Sequence, residues 1–578
     1  MTSDTTPVFS IRQVPFSRRG AYLSITADHW TTPLGRAPYL KAVHGKTGSV
    51  AEVFRLDLTR HGRAVASTDV ARPGCLRLHG RNGGQVDFAF ADANTVLIRG
   101  TGAGLRLKGV PGAGRIGHAT PDGRWVLVGA DGRHQYVVEC RGRGRLIVDA
   151  PWIVTPDKRT RCDHVTLRLE PDASGHVEAA ITEFGRPLPP METRRFDACV
   201  AEAEADFAAW LCKTPIVSKG FEPGRRVAAY VNWSCMVEPR GHLTRPTMLM
   251  NKCHMHQVWC WDHCFNAMAL VYHDPAAAWD QLMLMADHQD GHGAMPDSIS
   301  DVLIRWNFGK PPVHGWALRF MMRRAPRFFT RERLRQAYDW LASWSGWWLE
   351  HRRWPGDALP YYIHGNDSGW DNSTLFDQGT PVVAPDLAAH LAVQLDVVSE
   401  LAARLGKPRA AARWRKLSEL ILTALLEQLW KGDRFVGIRR PDGRMIDCES
   451  LITCIPLVLG TRLPADVRQA LTARIARFVT PHGLATEAPD SPEYYHNNHA
   501  YWRGPVWPPP VMLIVDGLAQ SGEAALAARI ARRYCRAAAR CCFRENFDAL
   551  TGAGCSDYAY TWTSSVYLIL AHEHIAGA

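Results

Sequence analysis

The chain has no block of five like charges and no stripe of lysine and arginine; its net excess of +11 is spread along 578 residues. Electrostatic recognition of nucleic acid needs a clustered basic footprint, so nucleic acid is not an expected partner. No apolar run reaches the roughly eighteen residues of a membrane-crossing helix, so no membrane association is expected. The opening Met1-Thr2-Ser3-Asp4-Thr5-Thr6-Pro7 lacks a basic stretch followed by an apolar one, and does not read as a secretory signal. Cysteine occurs 15 times, an odd number without framework spacing. The expectation is reduced thiols in a cytoplasmic protein. With 46% apolar and 22% charged residues, the chain is neither disordered nor fibrous. Its length suits about two to four domains and a core that needs no disulfide or metal staple.

What the sequence has in excess is tryptophan, 21 residues of it. Tryptophan usually serves a core. Beside carboxylates in loops it also suits carbohydrate, because a sugar offers an apolar CH face for stacking and a hydroxyl rim for hydrogen bonds.

Periodicity divides the chain. Up to about residue 190, short alternating or β-rich runs recur, among them 75–79, 85–90, 95–99, 135–139, 164–169 and 176–181, with turns at Asp122-Gly123 and Asp131-Gly132. Many short strands at this spacing predict an N-terminal β-sandwich over 1–190. Pro187, Pro189 and Pro190 mark its end, and 191–224 reads as a linker region carrying one Ala- and Glu-rich helix. From 225 to 578 the period is helical, with helices expected near 226–236, 262–272, 276–288, 313–323, 331–350, 384–404, 408–430, 449–458, 465–477, 500–519, 523–541 and 562–574. Helices without interleaved strands do not suit a parallel α/β fold, whereas six helical hairpins can close into an (α/α)6 toroid. The long segments 289–312, 352–383 and 478–499 are too specific for simple linkers and are expected to carry function.

Four loop constellations carry chemistry. In Asn366-Asp367-Ser368-Gly369-Trp370-Asp371-Asn372-Ser373, two acids flank a turn, and Trp370 beside Asp371 suits a carboxyl held protonated by desolvation. The alternative is an Asx-turn that caps a helix. In Arg544-Glu545-Asn546-Phe547-Asp548, followed by Tyr560-Thr561-Trp562-Thr563, Glu545 suits a general base, or a solvated loop glutamate. Trp259-Cys260-Trp261-Asp262 opens a helix, where Asp262 either caps it or binds sugar hydroxyls. Tyr501-Trp502-Arg503-Gly504-Pro505-Val506-Trp507 places an arginine between tryptophans, as a clamp or as a structural ion pair.

Taken together with Pro311-Pro312-Val313-His314-Gly315-Trp316, these motifs in this order resemble glycoside hydrolase family 63, over roughly 225–575. That family holds α-glucosidases and the mannosylglycerate and glucosylglycerate hydrolases, and is related to the trehalases. The resemblance implies an exo-acting, anomer-inverting α-glycosidase on an (α/α)6 barrel, with a carbohydrate substrate and no cofactor or metal. It makes Asp371 the general acid and Glu545 the general base, the latter kept ionised by polar neighbours. Trp261, Asp262, Trp316, Trp370, Asn372 and Arg503 are expected to line the terminal-sugar subsite. Asp367 competes as an acid but does not match the family's aspartate. The full trehalase signatures are absent, which disfavours trehalase. The length disfavours the compact glycerate-glycoside hydrolases, so an α-glucosidase on a disaccharide or short oligosaccharide is the expectation.

Other readings have distinct signatures. A debranching α-1,6-glucosidase or a rhamnosidase-like hydrolase would share the toroid. A sugar isomerase would work through His314, His496 and His499 and break no glycosidic bond. A binding protein would lack the acid pair. Cys253, His254, His256, Cys260, His263 and Cys264 crowd into one segment with zinc-type ligands but lack a second limb, so buried thiols and hydrogen-bonded histidines are expected there. Asp290, Asp297 and Asp301 offer a calcium-like loop, or a pocket mouth. His496-Asn497-Asn498-His499 bonds sugar hydroxyls or caps the next helix.

Overall fold

The computed structural model describes residues 6–27, 34–45, 51–81, 83–111, 116–129, 132–154, 156, 160–495 and 500–575. Two compact units emerge. One comprises Met1–Cys212 with Ala229–Glu238 and Asn251–His256; the other comprises Lys213–Ala228, Pro239–Met250 and Gln257–Ala578.

The first unit is built on two antiparallel sheets. In one, the order is Leu23–Thr26, Tyr39–Ala42, Glu52–Arg60, Gly104–Gly109, Thr166–Glu170 and Arg145–Asp149, with Arg63–Ala64 on the third strand. In the other it is Ile116–Ala119, Trp125–Val128, Gln135–Cys140, His176–Phe184, Thr95–Thr101, Gln85–Phe90, Cys75–Gly80 and Ser67–Arg72. The period-two pattern sorts side chains by face. Leu76 and Leu78, Leu105 and Leu107, and Leu167 and Leu169 are buried, while Arg77 and Arg106 alternate with them. Leu58 of one sheet reaches Gly80 of the other, where an added Cβ would lie 3.2 Å from its Cδ2. The strands Tyr39–Ala42 and Glu52–Arg60 lie outside the expected set. The expected linker helix is Phe196–Lys213; its Phe196 and Cys199 pack with Ala89, Ala91, Leu97 and Ala180.

The second unit is mostly helical. Six segments touch in a closed cycle: Asp262–Leu270 meets His314–Arg324, then Pro385–Arg404, Leu451–Arg462, Pro508–Gln520 and Thr561–Glu573, which returns to Asp262–Leu270. These members are buried on most sides, as helices surrounded by protein must be; every residue from Asp262 to Leu270 is buried. Against them pack helices with one apolar stripe: Pro275–Ala286, Arg331–His351, Pro408–Ala424, Ala465–Ile475 and Ala524–Arg540. The last buries Ala527, Ile530, Ala531, Tyr534 and Ala538 and leaves its arginines outside. No described helix is long and apolar enough to cross a membrane.

Three expected helices differ. The one placed at 500–519 starts at Pro508, because Pro508, Pro509 and Pro510 supply a first turn that needs no N–H donors. Residues before it form a turn in which Tyr501 (φ 55°) and Gly504 (φ 141°) are left-handed or beyond. The segment at 449–458 is a 3-10 run, Leu451–Arg462, with Pro456 inside and a break at Gly460. The one at 408–430 ends its α form at Ala424 and closes with a π turn, Leu425–Leu429.

Candidate active site

A small ladder assembles the first wall. Val258–Trp259 pairs with Ser298–Ile299, which pairs with Ile304–Arg305. Cys260 N donates to Asp297 O at 3.0 Å. This brings Asp297 beside the start of helix Asp262–Leu270 and directs the chain on to Lys310. The Lys310 Nζ lies 3.3 Å from Asp297 Oδ1 and donates to Asn366 O at 2.6 Å.

That second contact ties down the loop Gly365–Ser373. Its single helical turn Gly365–Ser368 is capped by Gly369 at φ 76°. A Cβ on Gly369 would sit 2.5 Å from the Trp261 indole. Both the left-handed backbone and the close approach therefore require glycine. Gly369→Ala is expected to cost about 2 kcal/mol or more and to displace Trp261; thermal unfolding and activity measured side by side check it. Asp367, the competing acid of the sequence, is fully buried and spent: its Oδ1 accepts from Gly309 N (2.9 Å), and its Oδ2 from Ile363 N (2.7 Å) and Arg352 (2.9 Å). Asp371 points elsewhere, and its Oδ2 accepts from the Tyr501 hydroxyl at 3.3 Å.

The loop 500–507 supplies the opposite wall. Trp502 N donates to Asn372 Oδ1 (2.8 Å) and Asn372 Nδ2 to Ala500 O (3.2 Å). Arg503 donates to Asn372 O (2.8 Å) and pairs with Asp377 and with Glu493 (3.3 Å). Asn372 and Arg503, both expected at the sugar, thus have these polar groups engaged in lacing two loops together. Tryptophans back the site: Trp370 lies 5.0 Å from Trp502, which stacks on Trp507 at 3.9 Å and neighbours Trp261 at 6.4 Å; Trp562 meets both Trp261 and Trp507. Trp370 and Trp502 are buried. Trp316 donates to Asp516 Oδ2 at 2.7 Å and lies against Phe265, which touches Trp261.

Glu545 enters from a third loop. Its N–H donates to Asp557 O at 2.9 Å, its carbonyl accepts from the Trp562 indole at 3.2 Å, and Asp557 N reaches its Oε2 at 3.5 Å. Reciprocal bonds between Val506 and Phe547 (2.7 and 3.2 Å) lace this loop to the Tyr501 loop.

Asp262, Asp371 and Glu545 are near enough to feel one another's charge. Burial raises Asp262 to about 7, with Asp297 and Asp371 adding to it. It also raises Asp371, against the opposing pull of Lys310 and the Tyr501 hydrogen bond. Glu545, expected from the sequence to stay ionised, differs: burial, then the charges of Asp557, Asp262 and Asp371, push it well above the carboxylate range. Polar neighbours are there, but they are acids. Burial works against the Lys310 ammonium, and Asp297, Asp371 and Asp262 outweigh it, so its pKa ends above the ordinary value. The phenols of Tyr501 and Tyr560 are likewise pushed up by burial and these acids, which keeps both as donors.

Sequence reasoning misses Lys310 and Asp557, and includes Tyr501 and Tyr560 only as members of motifs. The signal for Lys310 is a lysine directly before the Pro-Pro pair that leads into a buried helix.

The Cys/His segment behaves as a core. Cys260 Sγ lies 3.4 Å from His314 Nε2, which also contacts Cys260 O at 3.1 Å. Burial lowers His314 to about 4 and His263 to about 3, so both are neutral. Among the described residues, no three ligand atoms of this segment, nor of Asp290, Asp297 and Asp301, lie within 4.8 Å of one another. Asp290 instead accepts from His292 N and Ala294 N. His496-Asn497-Asn498-His499 lies outside the described residues.

Known proteins similar to this chain bear on its family and fold. Residues 255–563 match the family model described as mannosylglycerate hydrolase MGH1-like glycoside hydrolase domain. A mannosylglycerate hydrolase of Rubrobacter radiotolerans is 24% identical over 435 residues, 59% of this chain and 94% of its own. The crystal structure of a GH63 mannosylglycerate hydrolase of Thermus thermophilus with glucose superposes with a TM-score of 0.53 at 22% identity, over 60% of this chain and 99% of that one. A bacterial glucoamylase complexed with acarbose superposes over 99% of this chain and 96% of its own, with a TM-score of 0.63 at 10% identity.

Proposed function

We propose that this chain, which belongs to the mannosylglycerate hydrolase MGH1-like glycoside hydrolase family, is an exo-acting enzyme that releases a terminal hexose from small α-glycosides. Membership makes it a glycoside hydrolase that cleaves O-glycosyl bonds with inversion. The closed helical cycle is read as the inner ring of an (α/α)6 toroid preceded by a β-sandwich, and the likeness to glucoamylase along nearly the whole chain supports this.

One observation carries the mechanism: the half-buried carboxyl of Asp371 and the buried carboxyl of Glu545 reach one acid cluster from separate loops. Inversion needs a protonated carboxyl at the leaving oxygen and a carboxylate that activates water on the other face of the ring. Asp371 is assigned as the acid on its place in the Ser-Gly-Trp-Asp motif, with the Tyr501 hydroxyl holding its carboxyl in place. Glu545 is assigned as the base. Asp262 and Trp261 then bind the terminal sugar, Tyr560 donates to a hydroxyl, and Asn372, Arg503 and Trp370 hold the loops in register.

Two readings of the substrate remain. The sequence favours an α-glucoside of a second sugar; the names of the relatives favour a hexosylglycerate. A panel of α-linked glucobioses, trehalose, mannosylglycerate and glucosylglycerate decides between them by release of free hexose. If no member yields hexose while a sugar is isomerised, the hydrolase reading fails.

Lys310 offers a separate check. It lowers the Asp371 pKa, so Lys310→Met raises it. The acid must be protonated to work, and its pKa sets the alkaline limb of kcat/KM. That limb is expected to move to higher pH in Lys310→Met and to stay near its wild-type position in Lys310→Arg.

A further inference from the structure

The side of the site next to Asp371 carries an aromatic rim that the chemistry above does not use. Phe308 and His364 stack, with centroids 5.0 Å apart and planes at 23°. His364 caps the turn Gly365–Ser368, its Nδ1 accepting from Asn366 N at 3.1 Å. Gly365, the next residue, is pressed so close to the Asp371 carbonyl that an added Cβ would lie 2.1 Å from it. On the other side, Phe308 lies 5.9 Å from Lys310 Nζ. The stack therefore bridges the two chain segments that hold the proposed acid. Each segment also leaves a large apolar residue in solvent, Trp306 at 47% and Ile363 at 42% exposure. Trp306 and Ile363 stand two residues and one residue before the stacked rings in the chain, so both segments offer apolar surface to a ligand beside the stack.

We propose that Phe308, His364 and Trp306 form the leaving-group subsite, and that it takes a second sugar ring by stacking on its CH face. The inference rests on the assignment of Asp371 as acid: a general acid must reach the leaving oxygen, so the group attached to that oxygen lies on Asp371's side of the terminal sugar. His364 is near enough for its charge to lower the Asp371 pKa, which fits that placement. Stacking suits a pyranose with an apolar face. A glycerate offers no such face and would call for a cationic clamp.

The test compares wild type, Trp306→Ala, Trp306→Phe and Phe308→Leu on α-disaccharides, glycosylglycerates and α-glucosyl and α-mannosyl fluorides. A fluoride fills only the terminal-sugar subsite. Trp306→Ala and Phe308→Leu are expected to raise KM for the cleaved disaccharide at least fivefold with kcat within twofold, to leave kcat/KM on the fluoride unchanged, and Trp306→Phe to restore the disaccharide KM. An unchanged disaccharide KM overturns the proposal. So does an equal loss on the fluoride, or a wild-type enzyme that cleaves glycosylglycerates and no disaccharide. Failure of the underlying acid assignment shows separately, as equal losses on disaccharide and fluoride in Asp371→Asn.

Discussion

Asp371→Asn is expected to lower kcat on an α-linked disaccharide by about a thousandfold or more, roughly 4 kcal/mol of barrier. It should cost far less on the matching glycosyl fluoride. An alkoxide leaving group must be protonated as the bond breaks, whereas fluoride departs without a proton. The asparagine side-chain oxygen can still accept from Tyr501, and the loop is pinned independently through Asp367, Lys310 and Gly369. The fold should therefore survive, and unchanged circular dichroism with a lost alkaline limb in the pH profile separates chemistry from damage.

Glu545→Gln is expected to lose a similar factor on both substrates, because the attacking water needs a base whatever the leaving group. The amide oxygen can still accept from Asp557 N. The pH dependence gives the sign. Glu545 is pushed up by burial and by Asp557, Asp262 and Asp371. A base works only when deprotonated, so wild-type kcat/KM should fall on its acid side at a pH above the usual glutamate value of about 4.3. That limb should vanish in the variant. A Glu545→Gln enzyme that loses activity on the disaccharide and keeps it on the fluoride would exchange the two roles.

Much of this is legible in the sequence. The change from period two to helical period reports which side of each element meets the core, and it separates the sheet-rich part from the helical part. The motifs Trp-x-Trp-Asp and Ser-Gly-Trp-Asp-Asn-Ser name residue types that meet in space, since Gly369 must leave room for Trp261. What escapes is everything set by long-range bonding. Trp370 beside Asp371 and the family motif set the two acids apart in the sequence, but not why Asp367 is spent: Gly309, Ile363 and Arg352 converge on it. Of the two readings of Arg503, clamp or structural ion pair, only the arrival of Asp377 and Glu493 from other segments decides for the second. Trp370 reads as lining the terminal-sugar subsite until Trp502 covers it. Glu545 reads as an ordinary ionised glutamate until the fold surrounds it with other acids. Pro508-Pro509-Pro510 is consistent with a helix interior only if one forgets that proline belongs in the first turn.

The most direct test of the central claim is time-resolved proton NMR of the first product anomer from a cleaved α-glycoside, followed before mutarotation. With Asp371 as acid and Glu545 as base on opposite faces of the ring, the β-anomer appears first in the wild-type enzyme, and neither variant accumulates it from the disaccharide at a comparable rate. An α-anomer appearing first would mean a double displacement through a glycosyl-enzyme, and would contradict the roles assigned to both carboxylates.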